Sequence, residues 1–116
     1  MLATLVVTDN PQLSNTLRKM VKRLIERFDP EQIILFGSHA RGTARPDSDL
    51  DLLVIMPVTG SKRAKQVELR VALREFDVPK DIIVATPDEV ARRRNIVGTL
   101  IRPALCEGKV LYVRDR

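Results

Sequence analysis

Asp49 and Asp51 stand two positions apart at the head of an apolar run, Leu52-Leu53-Val54-Ile55. Such a run reads as a strand, and residues two apart on a strand point to the same face. Two carboxylates held side by side repel each other unless a cation lies between them, a pairing that suits a hard divalent ion such as Mg2+. Upstream, the apolar run Ile33-Ile34-Leu35-Phe36 stops at Gly37-Ser38. A glycine there lets the backbone turn sharply or approach a ligand closely. Backbone N–H groups after such a turn, together with the Ser38 hydroxyl, suit phosphate oxygens, and Arg41 and Arg45 bring positive charge. A phosphate cradle and a metal seat are thus expected within one unit, Phe36 to Leu53.

Rival chemistries fail on spacing. Asp47, Asp49 and Asp51 have the alternation of a calcium loop, but the sixth position is Leu52 instead of glycine and the twelfth is Val58 instead of glutamate. Asp47, after Pro46, is expected to shape a turn. Neither a G-x-x-x-x-G-K-S/T string nor a G-x-G-x-x-G string occurs. His39 is the only histidine, and nothing supplies it with a nucleophile and an acid for a hydrolase triad. It reads as a loop residue near the phosphates.

The 116 residues give room for one domain, 1–116, with its core at about 11–113. With three Phe, one Tyr and no Trp, the core must be aliphatic, and an aromatic platform for single-stranded bases is not expected. The formal charge of +5 comes without a basic tail or a DNA-reading motif, so direct nucleic-acid binding is not expected either. Arg92-Arg93-Arg94 is the one dense basic run and reads as an exposed helix face. The single cysteine, Cys106, has no internal disulfide partner and reads as a small buried apolar residue. Met1 to Val7 lacks the features of a signal peptide, and no segment approaches a membrane span, so a reducing cytoplasm is the expected location.

The elements that must position the site follow from periodicity. Asn10 and Pro11 start a helix whose apolar stripe is Leu13, Leu17, Met20, Val21, Leu24, Ile25 and Phe28. Its other face, Arg18, Lys19, Lys22, Arg23 and Arg27, reads as solvated. Strands are expected at Gln32 to Phe36, from near Asp49 to before Pro57, and at Asp81 to Ala85, with a short helical turn through His39 to Arg41. A charged helix from about Lys62 to Glu75 should turn Ala64, Val67, Val71 and Leu73 inward. Thr86-Pro87-Asp88-Glu89 is a capping signal for a helix to about Arg94. A further helix, about Thr99 to Glu107 and interrupted by Pro103, precedes an edge strand at Val110 to Val113. The pattern is α/β (α+β), a small mixed sheet with helices packed on one face.

Apolar-Gly-Ser, ten intervening residues, then Asp-Leu-Asp-Leu resembles the signature of the nucleotidyltransferase superfamily that includes DNA polymerase beta. The fuller string G-S-H-A-R-G, followed by S-D-L-D-L, resembles its minimal nucleotidyltransferase (MNT) branch, antitoxin partners of HEPN-domain toxins. The similarity runs from about Leu13 to Tyr112, including E-G-K-V-L-Y. The resemblance implies a palm-like core and two Mg2+ ions on Asp49, Asp51 and a third carboxylate. Asp81 opens its strand as D-I-I-V and matches that third position, with Asp77 a weaker substitute. It further implies ATP as substrate, Gly37, Ser38, Arg41 and Arg45 at the nucleotide, and transfer of AMP to a HEPN-domain toxin. Larger relatives carry an added helical domain for the acceptor, whereas this chain ends soon after the core, so the acceptor is expected from a partner or a free small molecule. Two other functions stay open at this point. One is an antitoxin that occludes its partner stoichiometrically, the other an adenylyltransferase of a small molecule or RNA.

Overall fold

The computed structural model describes residues 11–45, 47–93 and 108–114. The element order is α1 (Pro11–Phe28), β1 (Gln32–Phe36), α2 (Ser38–Arg41), β2 (Leu50–Ile55), α3 (Lys62–Ala72), β3 (Lys80–Ala85), α4 (Pro87–Arg93) and β4 (Lys109–Val113). The expected helix over about Thr99 to Glu107, with Pro103 and Cys106, lies outside the described residues, as do Asn10 and the Met1 to Val7 run. Among the described residues no helix is long and apolar enough to cross a membrane.

The described strands form one mixed sheet in the order β3-β2-β1-β4. β1 pairs antiparallel with both β2 and β4, and β2 pairs parallel with β3. A parallel pair needs a crossover, and α3 supplies it. Ile33–Phe36 of β1 and Leu52–Ile55 of β2 read as unbroken apolar runs because both faces of these stretches are buried. Ile33, Leu35, Leu52, Val54, Ile82 and Val84 join Leu17, Met20, Val21 and Leu24 of α1 and Leu69 and Leu73 of α3 in the main core. Ile34, Phe36, Leu53, Ile55 and Ala85 form a smaller apolar group on the opposite face, with Ile83 and Val90 of α4 packed against it. α4 is capped as its sequence requires. The Glu89 N–H donates to Thr86 Oγ1 at 3.1 Å, and the Thr86 N–H donates back to Glu89 Oε1 at 3.1 Å.

β4 is an edge strand, as expected, and carries a register shift opposite Ile33 and Ile34. A bulge of this kind breaks the two-residue alternation, and the consecutive residues Leu111 and Tyr112 both reach the main core. The other edge, β3, is closed by a side chain: the Val84 N–H donates to Gln66 Oε1 of α3 at 2.8 Å.

Two expectations need correction. Of the residues expected to face inward from α3 only Leu73 is buried, and Leu69 and Ala72 join it, whereas Val67 and Val71 are 50% and 51% exposed and Ala64 is also exposed. Val67/Val71 and Leu69/Leu73 are equally good i, i+4 pairs on opposite sides of one helix, so spacing alone does not choose between them. The leucines carry more apolar area and win the core. Arg23, expected to be solvated, instead ties α1 to α3. Its guanidinium donates to the Ala72 carbonyl at 2.9 Å, pairs with Glu75 and lies 5.0 Å from the centre of the Phe76 ring.

Candidate nucleotide and metal site

Leu50 and Leu52 are buried in the main core, so the alternation of β2 turns Asp51 to the opposite face. In the sheet register Asp51 has two partners, Phe36 at the end of β1 and Asp81 near the start of β3. In-register residues of a parallel pair share a face, so the two carboxylates lie side by side. Asp49 is exposed just before β2. Burial, then the like charges of Asp81 and Asp49, push the Asp51 carboxyl above the usual carboxylate range, while His39 and Arg41 draw it partly back.

Directly after Phe36 the chain turns over Asp51. Gly37 has φ 75° and ψ −156°. A Cβ there would lie 2.2 Å from Asp51 Oδ2 and 3.1 Å from its Cγ. Only glycine can hold this conformation at this distance from the carboxylate. The Gly37 carbonyl then accepts from the N–H groups of Ala40 and Arg41, at 3.1 Å each, to close the single turn α2. Gly42 ends it in the left-handed conformation.

The loop into β2 is held by small contacts that spacing does not reveal. The Ser48 N–H donates to the Arg45 carbonyl at 3.0 Å, and the Arg45 N–H donates to Ser48 Oγ at 2.8 Å. Asp47 lies in this turn, but the side chain that closes it is Ser48. His39 Nε2 stands 3.1 Å from the Ser48 carbonyl oxygen, a bond that requires the Nε2–H tautomer. His39 therefore joins α2 to the loop, a role hidden when it is read only as a loop residue. Arg41 and Arg45 are both exposed.

Gly37, Asp51 and Asp81 are thus brought together, with Asp49 and Arg41 near enough to act on Asp51. Among the described residues no three acidic, histidine or cysteine side chains form a ready-made metal shell. Asp81 is instead engaged by Arg70 of α3, whose Nη2 donates to Asp81 Oδ1 at 3.3 Å. The oxygens of Asp51 and Asp81, with Asp49 close by, outweigh the cations that reach them, as the raised pKa of Asp51 reflects, and a carboxylate donor set of this kind fits a hard divalent cation.

A family model described as a nucleotidyltransferase domain matches residues 17–102, which include Gly37, Ser38, Asp49, Asp51 and Asp81. The chain belongs to the nucleotidyltransferase domain family. This nucleotidyltransferase is 33% identical over 114 residues to "Putative protein adenylyltransferase MJ1305" of Methanocaldococcus jannaschii, covering 92% of this chain and 76% of that relative. Among solved structures it resembles a toxin-antitoxin with AMP-PNP, with a TM-score of 0.63 and 26% identity, covering 84% of this chain and 73% of the other. The same fold recurs in the complex of a tri-AMPylated Shewanella oneidensis HEPN toxin with its MNT antitoxin, with a TM-score of 0.57 and 24% identity over 89% of this chain and 72% of the other. The resemblance to minimal nucleotidyltransferases drawn from G-S-H-A-R-G and S-D-L-D-L is borne out by these likenesses.

Proposed function

We propose that this nucleotidyltransferase is a Mg2+-dependent protein adenylyltransferase that moves AMP from ATP to a hydroxyl of a HEPN-domain ribonuclease toxin, and so acts as its antitoxin. The observation that carries the reading is the closure of Gly37 over Asp51, itself in register with Asp81. This places a side-chain-free backbone turn against a pair of carboxylates, which is what a metal-bound polyphosphate needs. The relatives' names supply the acceptor class.

In this reading Asp49, Asp51 and Asp81 hold the metal. When bound, Mg2+ neutralises the triphosphate and stabilises the leaving pyrophosphate. The Gly37-Ser38 turn holds phosphate oxygens, and Arg41 and Arg45 supply charge at the rim. The acceptor oxygen attacks the α-phosphorus, the bond to the β-phosphate oxygen breaks, pyrophosphate leaves, and Asp81 takes the hydroxyl proton.

The test is mass spectrometry of a HEPN-domain partner incubated with this protein, ATP and Mg2+, beside the double variant Asp49→Asn, Asp51→Asn. A gain of one or more AMP units, absent with the variant, is the expected result. A second reading, neutralisation by stoichiometric binding, draws on the engagement of Asp81 by Arg70. It requires an inhibited partner with no mass gain and undiminished inhibition by the variant.

A further inference from the structure

α3 turns three polar side chains toward β3 and α4 at four-residue intervals. Lys62 Nζ donates to Glu89 Oε2 at 2.8 Å, Gln66 Oε1 accepts from the Val84 N–H at 2.8 Å, and Arg70 Nη2 donates to Asp81 Oδ1 at 3.3 Å. The first two contacts fasten the helix at two points along its length, to α4 and to Val84 near the C-terminal end of the β3 edge. The third therefore reaches its target from an anchored base. That target is the carboxylate in register with Asp51.

We propose that Arg70 is the resident counter-cation of the site, neutralising Asp81 until a divalent ion binds and releasing it when one does. This rests on the metal reading given above. Three features support it. First, Asp51 and Asp81 occupy paired positions on neighbouring strands, so their like charges face each other, and His39 and Arg41 act on Asp51 to offset only part of this. Second, the contact is a single one at 3.3 Å, with side chains 50% and 47% exposed. An open pair of this kind shifts an equilibrium by at most about five-fold, so a metal displaces it readily. Third, the Arg70 guanidinium sits at the end of a long, flexible and half-exposed side chain, so it can release Asp81 by swinging away from it.

The experiment measures Mn2+ binding by calorimetry for the unsubstituted protein and for Arg70→Gln, Arg70→Lys, Arg74→Gln and Asp51→Asn. Arg70→Gln should tighten Mn2+ binding by about two- to five-fold, the size of an exposed ion pair. Arg70→Lys should stay near the unsubstituted protein. Arg74→Gln removes an exposed arginine in the turn just after the same helix, and it should change the affinity less than Arg70→Gln. In an Asp81→Asn background Arg70→Gln should have no effect beyond that of Arg74→Gln. An unchanged or weaker affinity for Arg70→Gln overturns the proposal, and so does a gain that persists in the Asp81→Asn background. If Mn2+ binds no more weakly to Asp51→Asn than to the unsubstituted protein, the metal reading itself fails and the counter-cation with it. NMR of the Arg70 side chain in the unsubstituted protein gives a check that needs no variant: its signals should move on saturation with Mg2+, and stationary signals overturn the proposal.

Discussion

Gly37 and Asp51 occupy one another's space so closely that a single added carbon at Gly37 would fall 2.2 Å from Asp51 Oδ2. The turn after β1 and the acid on β2 are therefore one unit. Gly37→Ala must shift either the turn or the carboxylate, and it also forces φ 75° on a residue with a side chain. The expected cost is about 1–3 kcal/mol of stability from the backbone alone. Nucleotidyl transfer should fall by about 100-fold, because a displacement near 1 Å at a reacting centre has that effect. Gly42→Ala meets nothing within 4 Å, so it should lose stability through its φ of 77° without moving Asp51. Thermal melts and the transfer assay on both variants test the contrast.

The raised pKa of Asp51 makes a prediction about pH. A carboxyl whose folded pKa lies above its unfolded value binds its proton more tightly in the fold. Its contribution to stability is therefore fully present below the unfolded pKa and is lost as the pH rises through the folded pKa. Asp51→Asn removes this titration. The variant should melt at a higher temperature than the unsubstituted protein at neutral pH, and the gap should close as the pH is lowered through the carboxylate range. A gap that does not change with pH would contradict the assigned cause, which is burial followed by the charges of Asp81 and Asp49.

The orientation of α3 can be tested through two substitutions on opposite sides of the helix. Leu69→Ala empties a fully buried position and should cost about 2–5 kcal/mol. Val67→Gln changes a half-exposed side chain and should stay within about 0.5 kcal/mol of the unsubstituted protein. Denaturant midpoints for the two variants would reverse in order if the valines faced the core.

Arg23 should matter more than its place on the charged face of α1 suggests. Removing it takes away a donor to the Ala72 carbonyl, the ion pair with Glu75 and the cover over Phe76 together. Glu75→Ala removes only one of these. Arg23→Ala should therefore lower the melting temperature by more than Glu75→Ala does, and added salt should narrow the effect of Glu75→Ala more than that of Arg23→Ala.

Local chemistry written in consecutive residues was legible without coordinates. The apolar stripe of α1, the strands Gln32–Phe36 and Leu50–Ile55, the Thr86/Glu89 cap and the Gly37-Ser38 and Asp49/Asp51 pairs are all read within a few positions, where periodicity and turn preference act directly. The family followed from the same short strings. Tertiary structure decided what depends on residues distant in sequence. It set which of two equivalent stripes of α3 faces the core, because that choice is a competition for apolar area against a sheet not yet assembled. It placed Asp81 beside Asp51 through a parallel register that the crossover over residues 56–79 brings about. It drew Arg23 to Phe76 and Arg70 to Asp81, since a long cationic side chain carries no periodic signal of its partner. The residue types of the site were thus present in the sequence, while their mutual charge balance arose only when α3 closed over the edge of β3.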